Sequence, residues 1–288
     1  MDKLTEGYGL IEGPVWDNQR GLLFSDVTFG GVYCYGVDGE VSTIFEYRRG
    51  IGGMALHEKE GLVVSGRNIS FKPFSGGGTV LLLDQDEAND NIGYNDITTD
   101  EKGRIYAGSL GASPVFDDGR EPIAGCLYLI DLDGTARVVA RDIQLTNGLG
   151  FSPDGRILYH SDTRRKTVFC YAVADDGSLG SKQPFAVLDD GSPDGLVVSE
   201  DGAVWVALAG GGAGVAILEA DGAFRETIAI PLPMCTSLCF GGRDLKSLYI
   251  VSGSDGTGSE KGAAVFVHRT DVAGLPVPSA RVPLPSVS

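Results

Sequence analysis

Five residues of this chain offer oxygen donors in a recurring context: Glu12 in "EGPV", Asn95 in "NDIT", Asn147 in "NGLG", Asp194 in "DGLV" and Thr236 in "TSLC". Each stands just before a small or apolar strand start, and Gly52 holds the matching place in "GIGGMAL". Two of the five are carboxylates and two are amides. Gathered at one point, they form the all-oxygen set that a hard divalent cation takes, with water completing the shell. Taken singly, Asn or Asp before Gly is a common turn residue. Glu12, between Ile11 and Gly13 in an otherwise apolar run, is costly if buried alone. Whether these are turns or ligands depends on whether the chain brings them together.

The elements that position them repeat along the chain. A few apolar residues, a polar turn with Gly and an alternating run recur in "VWDNQRGLLFSD", "MALHEKEGLVVSG", "ITTDEKGRIYAG", "LGFSPDGRILYHSD", "LVVSEDGAVWVAL" and "LCFGGRDLKSLYIVS". Each is a hairpin signal, and most are followed by a third run and a second turn, as in "CLYLIDLDGTARVV". From Glu12 through Gly52, Asn95, Asn147 and Asp194 to Thr236 the intervals are 40, 43, 52, 47 and 42 residues. A period of about 40–50 residues carrying three or four strands is that of a propeller blade. The predicted fold is therefore all-β, a six-bladed β-propeller forming a single domain over residues 1–288. Its ordered part is expected to open at "YGLIEGPVWDNQRGLLFSDV", its units to run from about residue 10 to about residue 272, and its Pro-rich tail (about 273–288) to hang free or pack on a blade. The first strand of each blade lines the central axis, so the repeat-equivalent residues form a ring at one mouth of the channel. That geometry turns five turn-like residues into one candidate metal site.

Composition narrows the partners. The formal net charge is −16, which argues against nucleic acid or an anionic membrane and is compatible with a cation at a carboxylate-lined site. Five Cys with no zinc or disulfide spacing, Cys34, Cys126 and Cys170 among them in similar apolar runs, read as buried free thiols in a reducing compartment. "MDKLTEGYGL" has no signal-peptide pattern and no run is long enough to span a bilayer, so a cytoplasmic location is expected. A propeller leaves only short edges, so a monomer is expected.

Other chemistry is poorly represented. His57, His160 and His268 form no H-E-x-x-H pattern; His57 is expected in a solvated turn and His160 in a structural role. There is no G-x-S-x-G elbow. "GGGAG" at 210–214 reads as a loop between strands, and "DQDEANDN" at 84–91 as a solvated loop. Arg48 and Arg49 read as a surface pair, with a substrate carboxylate as the alternative partner.

In combination, "EGPVWD…LLFSDV", "YNDITTDEKGRIYAGSL", "TNGLGFSPDGRILYHSD", "SPDGLVVSEDGAVWVAL" and "TSLCFGG" resemble the regucalcin/gluconolactonase/luciferin-regenerating-enzyme family of six-bladed propellers over essentially the whole chain. The resemblance implies one divalent metal held by Glu12, Asn147 and Asp194, with Asn95 beside it contacting substrate or the attacking water and Asp194 as the general base. Two departures stand out. Gly93 lies where sugar-lactone members carry Arg, and "GSLGASPVF" offers Ser109, Ser113 and Phe116 where they carry a Glu. Tyr94, Pro114, Val115 and Phe116 suggest an apolar rim or a packed lid loop.

The expected activity is metal-dependent hydrolysis of a lactone, a small-molecule cyclic ester that need not be a sugar lactone. Alternatives on the same site are phosphotriester or fluorophosphate hydrolysis, or a non-catalytic calcium-binding propeller. Ca²⁺ heads the candidate ions, with Mg²⁺, Mn²⁺, Zn²⁺ and Fe²⁺ as alternatives.

Overall fold

Continuous apolar runs such as "GLLFSD" (Gly21–Asp26) and "GCLYLI" (Gly125–Ile130) are buried along their whole length. That is the pattern of a strand covered on both faces. Outer runs such as Phe224–Ala229 alternate weakly and stay exposed. A computed structural model, describing residues 1–111, 123–253 and 260–285, arranges these runs as six four-stranded antiparallel sheets. The innermost strands are Ile11–Asp17, Met54–His57, Gly93–Thr99, Thr146–Phe151, Ser192–Val198 and Cys235–Gly241. Each packs against the next around the axis, and the sixth returns to the first. The all-β six-bladed propeller is thereby observed. Apolar clusters join neighbouring blades: Phe71 and Ile69 of the second blade pack with Ile105 and Tyr128 of the third.

The ordered chain begins earlier than expected. Asp2–Tyr8 is a strand, pairs antiparallel with Ala263–Arg269, and is the outermost strand of the sixth blade. Its polar face is exposed and its partner lies at the far end of the chain, so no local pattern announces it.

The Pro-rich tail is packed. The backbone N–H of Leu275 donates to Val198 O (2.9 Å), that of Ala280 to Leu56 O (2.8 Å) and that of Arg281 to Gly103 O (2.8 Å). Val198 and Leu56 lie at or near the ends of their inner strands, whereas Glu12, Asn95 and Asp194 lie near the starts. The tail therefore crosses the end of the channel opposite the ring, burying Ala280 and Val282. This also corrects the reading of His57. It is buried, hydrogen-bonded through Nε2 to Val282 O at 3.0 Å and packed on Phe71, and burial lowers its pKa. His160 is buried as expected, bonded through Nε2 to Thr146 Oγ1 at 2.9 Å. All five Cys are free thiols and all but Cys170 are buried.

Candidate functional site at the channel mouth

Pairing between the first two strands slips at the ring residue in every blade but the second. The register shifts fall between Glu12 and Val15, Tyr94 and Ile97, Thr146 and Leu149, Pro193 and Leu196, and Cys235 and Ser237. The second blade, whose ring residue is Gly52, pairs without a slip. A bulge re-aims a side chain out of the strict up-and-down alternation of a strand. Here it frees the polar residue to face the axis while the strand below continues into the core.

Asn95 and Asn147 meet directly: Asn95 Nδ2 donates to Asn147 Oδ1 at 2.5 Å and to Thr146 O at 2.8 Å. Asn147 Nδ2 donates to Thr163 Oγ1 (2.7 Å), which in turn donates to Pro193 O (2.7 Å), the residue before Asp194. This chain fixes the Asn147 amide with its oxygen on the ring side, where one lone pair remains after the Asn95 bond. Asn147 and Asp194 are buried; Glu12 and Asn95 keep partial exposure at the mouth.

The carboxylates carry the electrostatic signature of the site. Desolvation, then the neighbouring Asp194 and Asp96 charges, push the Glu12 carboxyl well above its ordinary range. Asp194 is raised in the same way, by burial and then by Asp96. Its Oδ1 is buried with no hydrogen-bond partner among the described residues. Asp96 itself is pushed up to about 7 by burial.

Asp96 is the residue that sequence reading missed. Strand alternation assigns Asn95 and Asp96 to opposite faces, and only the slip between Tyr94 and Ile97 brings both to the axis. The available signal was the pair of acidic and amide side chains at the start of "NDIT". Thr236 goes the other way. It is buried, and its hydroxyl donates to Ile11 O at 2.6 Å, joining the sixth inner strand to the first instead of serving the ring.

The rim refines other readings. A Cβ on Gly93 would lie 2.9 Å from Gly66 O, so the backbone here leaves no room for a side chain at this position. Ser109 is buried and its Oγ accepts from Cys126 N at 2.9 Å, a structural use. Ser113, Pro114, Val115 and Phe116 lie outside the described residues. Tyr94 is buried, its hydroxyl donating to Asp84 O at 2.8 Å, so it packs beneath the rim. Arg48 is half-buried, and its Nη2 donates to Ser65 O (3.1 Å), Asn68 O (3.2 Å) and Asn68 Oδ1 (3.2 Å), so it is not half of a surface pair.

Among the described residues, no three His, Cys, Asp or Glu side chains are arranged as a ready-made ion site. The candidate set is two carboxylates and an amide. It fits a cation on its own chemistry: three clustered acids in a buried setting, one with an orphaned oxygen, are stabilised by a positive charge. A groove of about 420 Å³ opens elsewhere, at the tail end of the channel, lined by Thr99, Phe151, Pro153, Val198, Leu275 and Pro278, and contains none of the ring residues.

Fold and site together define a closed six-bladed propeller with an acid-lined mouth. The chain belongs to the SMP-30/gluconolactonase/LRE-like family, whose model matches residues 10–254. It is 32% identical over 281 residues to a 6-deoxy-6-sulfogluconolactonase of Pseudomonas putida, covering 93% of this chain and 94% of that one. It is 28% identical over 288 residues to a pentonolactonase of Haloferax volcanii, covering 94% of each. Among solved structures, a luciferin-regenerating enzyme superposes with a TM-score of 0.85 at 22% identity over 97% of both chains, a likeness of fold.

Proposed function

We propose that this protein is a divalent-metal-dependent lactonase, a carboxylic ester hydrolase that opens a small cyclic ester. The observation that carries the reading is the buried, unpartnered Oδ1 of Asp194 beside the raised carboxyls of Glu12 and Asp96. Uncompensated acids of this kind ask for a cation, and membership of a family with lactone-opening relatives supplies the substrate class.

Glu12, Asn147 and Asp194 would hold the ion, a hard one such as Ca²⁺ by their all-oxygen chemistry. When bound, such an ion supplies Lewis acidity toward the lactone carbonyl and toward water. The remaining work belongs to the chain. Asp194 takes the proton from the water that attacks the acyl carbon, and returns it to the ring oxygen as the acyl–oxygen bond breaks. Asn95, held by Asn147 and Thr146 O, presents its amide to the substrate or the water. Asn147 is a neutral ligand, so it adds no further negative charge where the tetrahedral oxygen develops. Glu12 anchors the ion from the first blade.

The test is hydrolysis of a panel of sugar, aliphatic and aromatic lactones by protein as purified, after chelation, and after return of Ca²⁺, Mn²⁺ or Zn²⁺. Turnover lost on chelation and restored by one ion supports the reading. Turnover that survives exhaustive chelation refutes metal dependence, and no turnover of any lactone refutes the substrate class.

A further inference from the structure

Two arginines stand at the mouth of a chain that is otherwise strongly acidic, and neither has an acidic partner among the described residues. Arg48 and Arg67 take part in no ion pair among the described residues. Arg48 is the more informative. A half-buried guanidinium is ordinarily matched by a carboxylate, because desolvating a charge is costly. Here burial lowers its pKa and no nearby acid offsets that effect. Its side-chain hydrogen bonds to described residues run through Nη2 to the 65–68 loop, so the other edge of the planar fork faces a two-oxygen ligand in this proposal.

Arg67 projects from that same loop and is exposed. The loop is fixed to the third blade by a reciprocal pair of bonds: Gly66 N to Tyr94 O at 3.1 Å, and Tyr94 N to Gly66 O at 2.7 Å. Tyr94 is the residue before Asn95. Arg67 is therefore one residue from a backbone clamp that ends one residue from the ring, and Arg48 braces the clamp from beneath.

We propose that Arg67 and Arg48 form an oxyanion subsite at the rim, so that the lactone opened at the ring carries an acidic substituent, a carboxylate or a sulfonate, away from its reacting carbonyl. This rests on the lactonase reading for the reaction, but not for the binding. Glu12, Asp96 and Asp194 repel an anionic ligand, so one that binds here needs cationic groups on its far side. The two arginines supply them on the rim beside Asn95, which also sets the direction in which the ring of the substrate lies.

The experiment compares three ligands with one skeleton: D-glucono-1,5-lactone and its derivatives with a carboxylate or a sulfonate at carbon 6. The metal-loaded protein and its Arg67→Gln, Arg67→Lys and Arg48→Lys variants are each assayed. The ratio of kcat/KM for an anionic lactone to that for the neutral one is expected to fall about tenfold in Arg67→Gln, the size of one charge-assisted hydrogen bond. Arg67→Lys should keep most of it, and the preferred derivative identifies the anion. An unchanged ratio in Arg67→Gln, with melting temperature unaltered, overturns the proposal. Calorimetric binding of the ring-opened acids gives an independent reading that needs no turnover. Preference for the dianionic acids over gluconate, which carries only the carboxylate formed on ring opening, in the parent and its loss in Arg67→Gln supports the subsite even if no lactone is hydrolysed. Equal binding of the monoanionic and dianionic acids by the parent protein overturns it.

Discussion

Gly52 is the one ring position without a side chain, and its substitution by Ala isolates the placement of Asn95. A Cβ there would sit 2.1 Å from Asn95 Oδ1 and 3.1 Å from its Cγ. Ordinary contact begins near 3.4 Å, so the amide must retreat by about 1 Å or swing away from Asn147. Misplacing a catalytic group by that distance costs turnover roughly 10²-fold. The cost in stability is smaller. Asn95 keeps partial exposure at the mouth, so its side chain has somewhere to go, and the strain falls at the low end of the roughly 1–3 kcal/mol seen for overpacking. For a chain of this size that corresponds to about 2–4 °C in melting temperature. Gly52→Ala, Asn95→Ala and the double variant are compared by lactone turnover and by thermal unfolding. If Gly52 acts only by making room for Asn95, the double variant is no worse in turnover than Asn95→Ala alone. Gly52→Ala with parental turnover would refute the reasoning, because the position of the Asn95 amide would then not matter to the chemistry.

Three further outcomes are expected. In chelated protein, stability should fall as pH rises from about 4 to about 7. Asp96 is raised from 3.8 to about 7 on folding, so its contribution is fully present below the unfolded value and lost as pH climbs through the folded one; the loss is about 4 kcal/mol, and urea unfolding at stepped pH measures it. Asp194→Asn should lower turnover by roughly 10²–10⁴-fold while making the chelated protein more resistant to urea at neutral pH, since a buried unpaired carboxylate has been removed; parental turnover with metal still bound excludes Asp194 as the base. Asp100→Ala should cost about 3–5 kcal/mol in the same unfolding assay, because it strands the buried Arg104 guanidinium whose Nε now donates to Asp100 at 2.6 Å.

The architecture was legible because each blade repeats its turn chemistry, so Glu12, Asn95, Asn147 and Asp194 fall in phase without any long-range information. Three features escaped for physical reasons. Asp96 escaped because a bulge breaks the alternation that sequence reading assumes. The strand Asp2–Tyr8 escaped because its strand character comes from Ala263–Arg269 rather than from its own polar residues. His57 escaped because the tail that covers it is distant in sequence, and a hairpin turn looks solvated until something lies across it. Thr236 shows the converse limit: repeat phase predicted where it sits but not that its hydroxyl would be taken by Ile11 O.

The pairing of Asp2–Tyr8 with Ala263–Arg269 has a consequence for how the molecule is made. Asp2–Tyr8 is made before the strand it pairs with, and the sixth blade cannot finish until Ala263–Arg269 has emerged. Until then Asp2–Tyr8 and the sheet edge it will cover are unpaired, each a template for pairing with another chain. The polar, charged sequence "DKLTEGY" suits a segment that must wait in water. An apolar first strand would pack as well on the finished blade and would be a hazard for every second before closure. The polar composition of these seven residues suits both the exposed outer edge of the finished blade and a segment that waits for its partner.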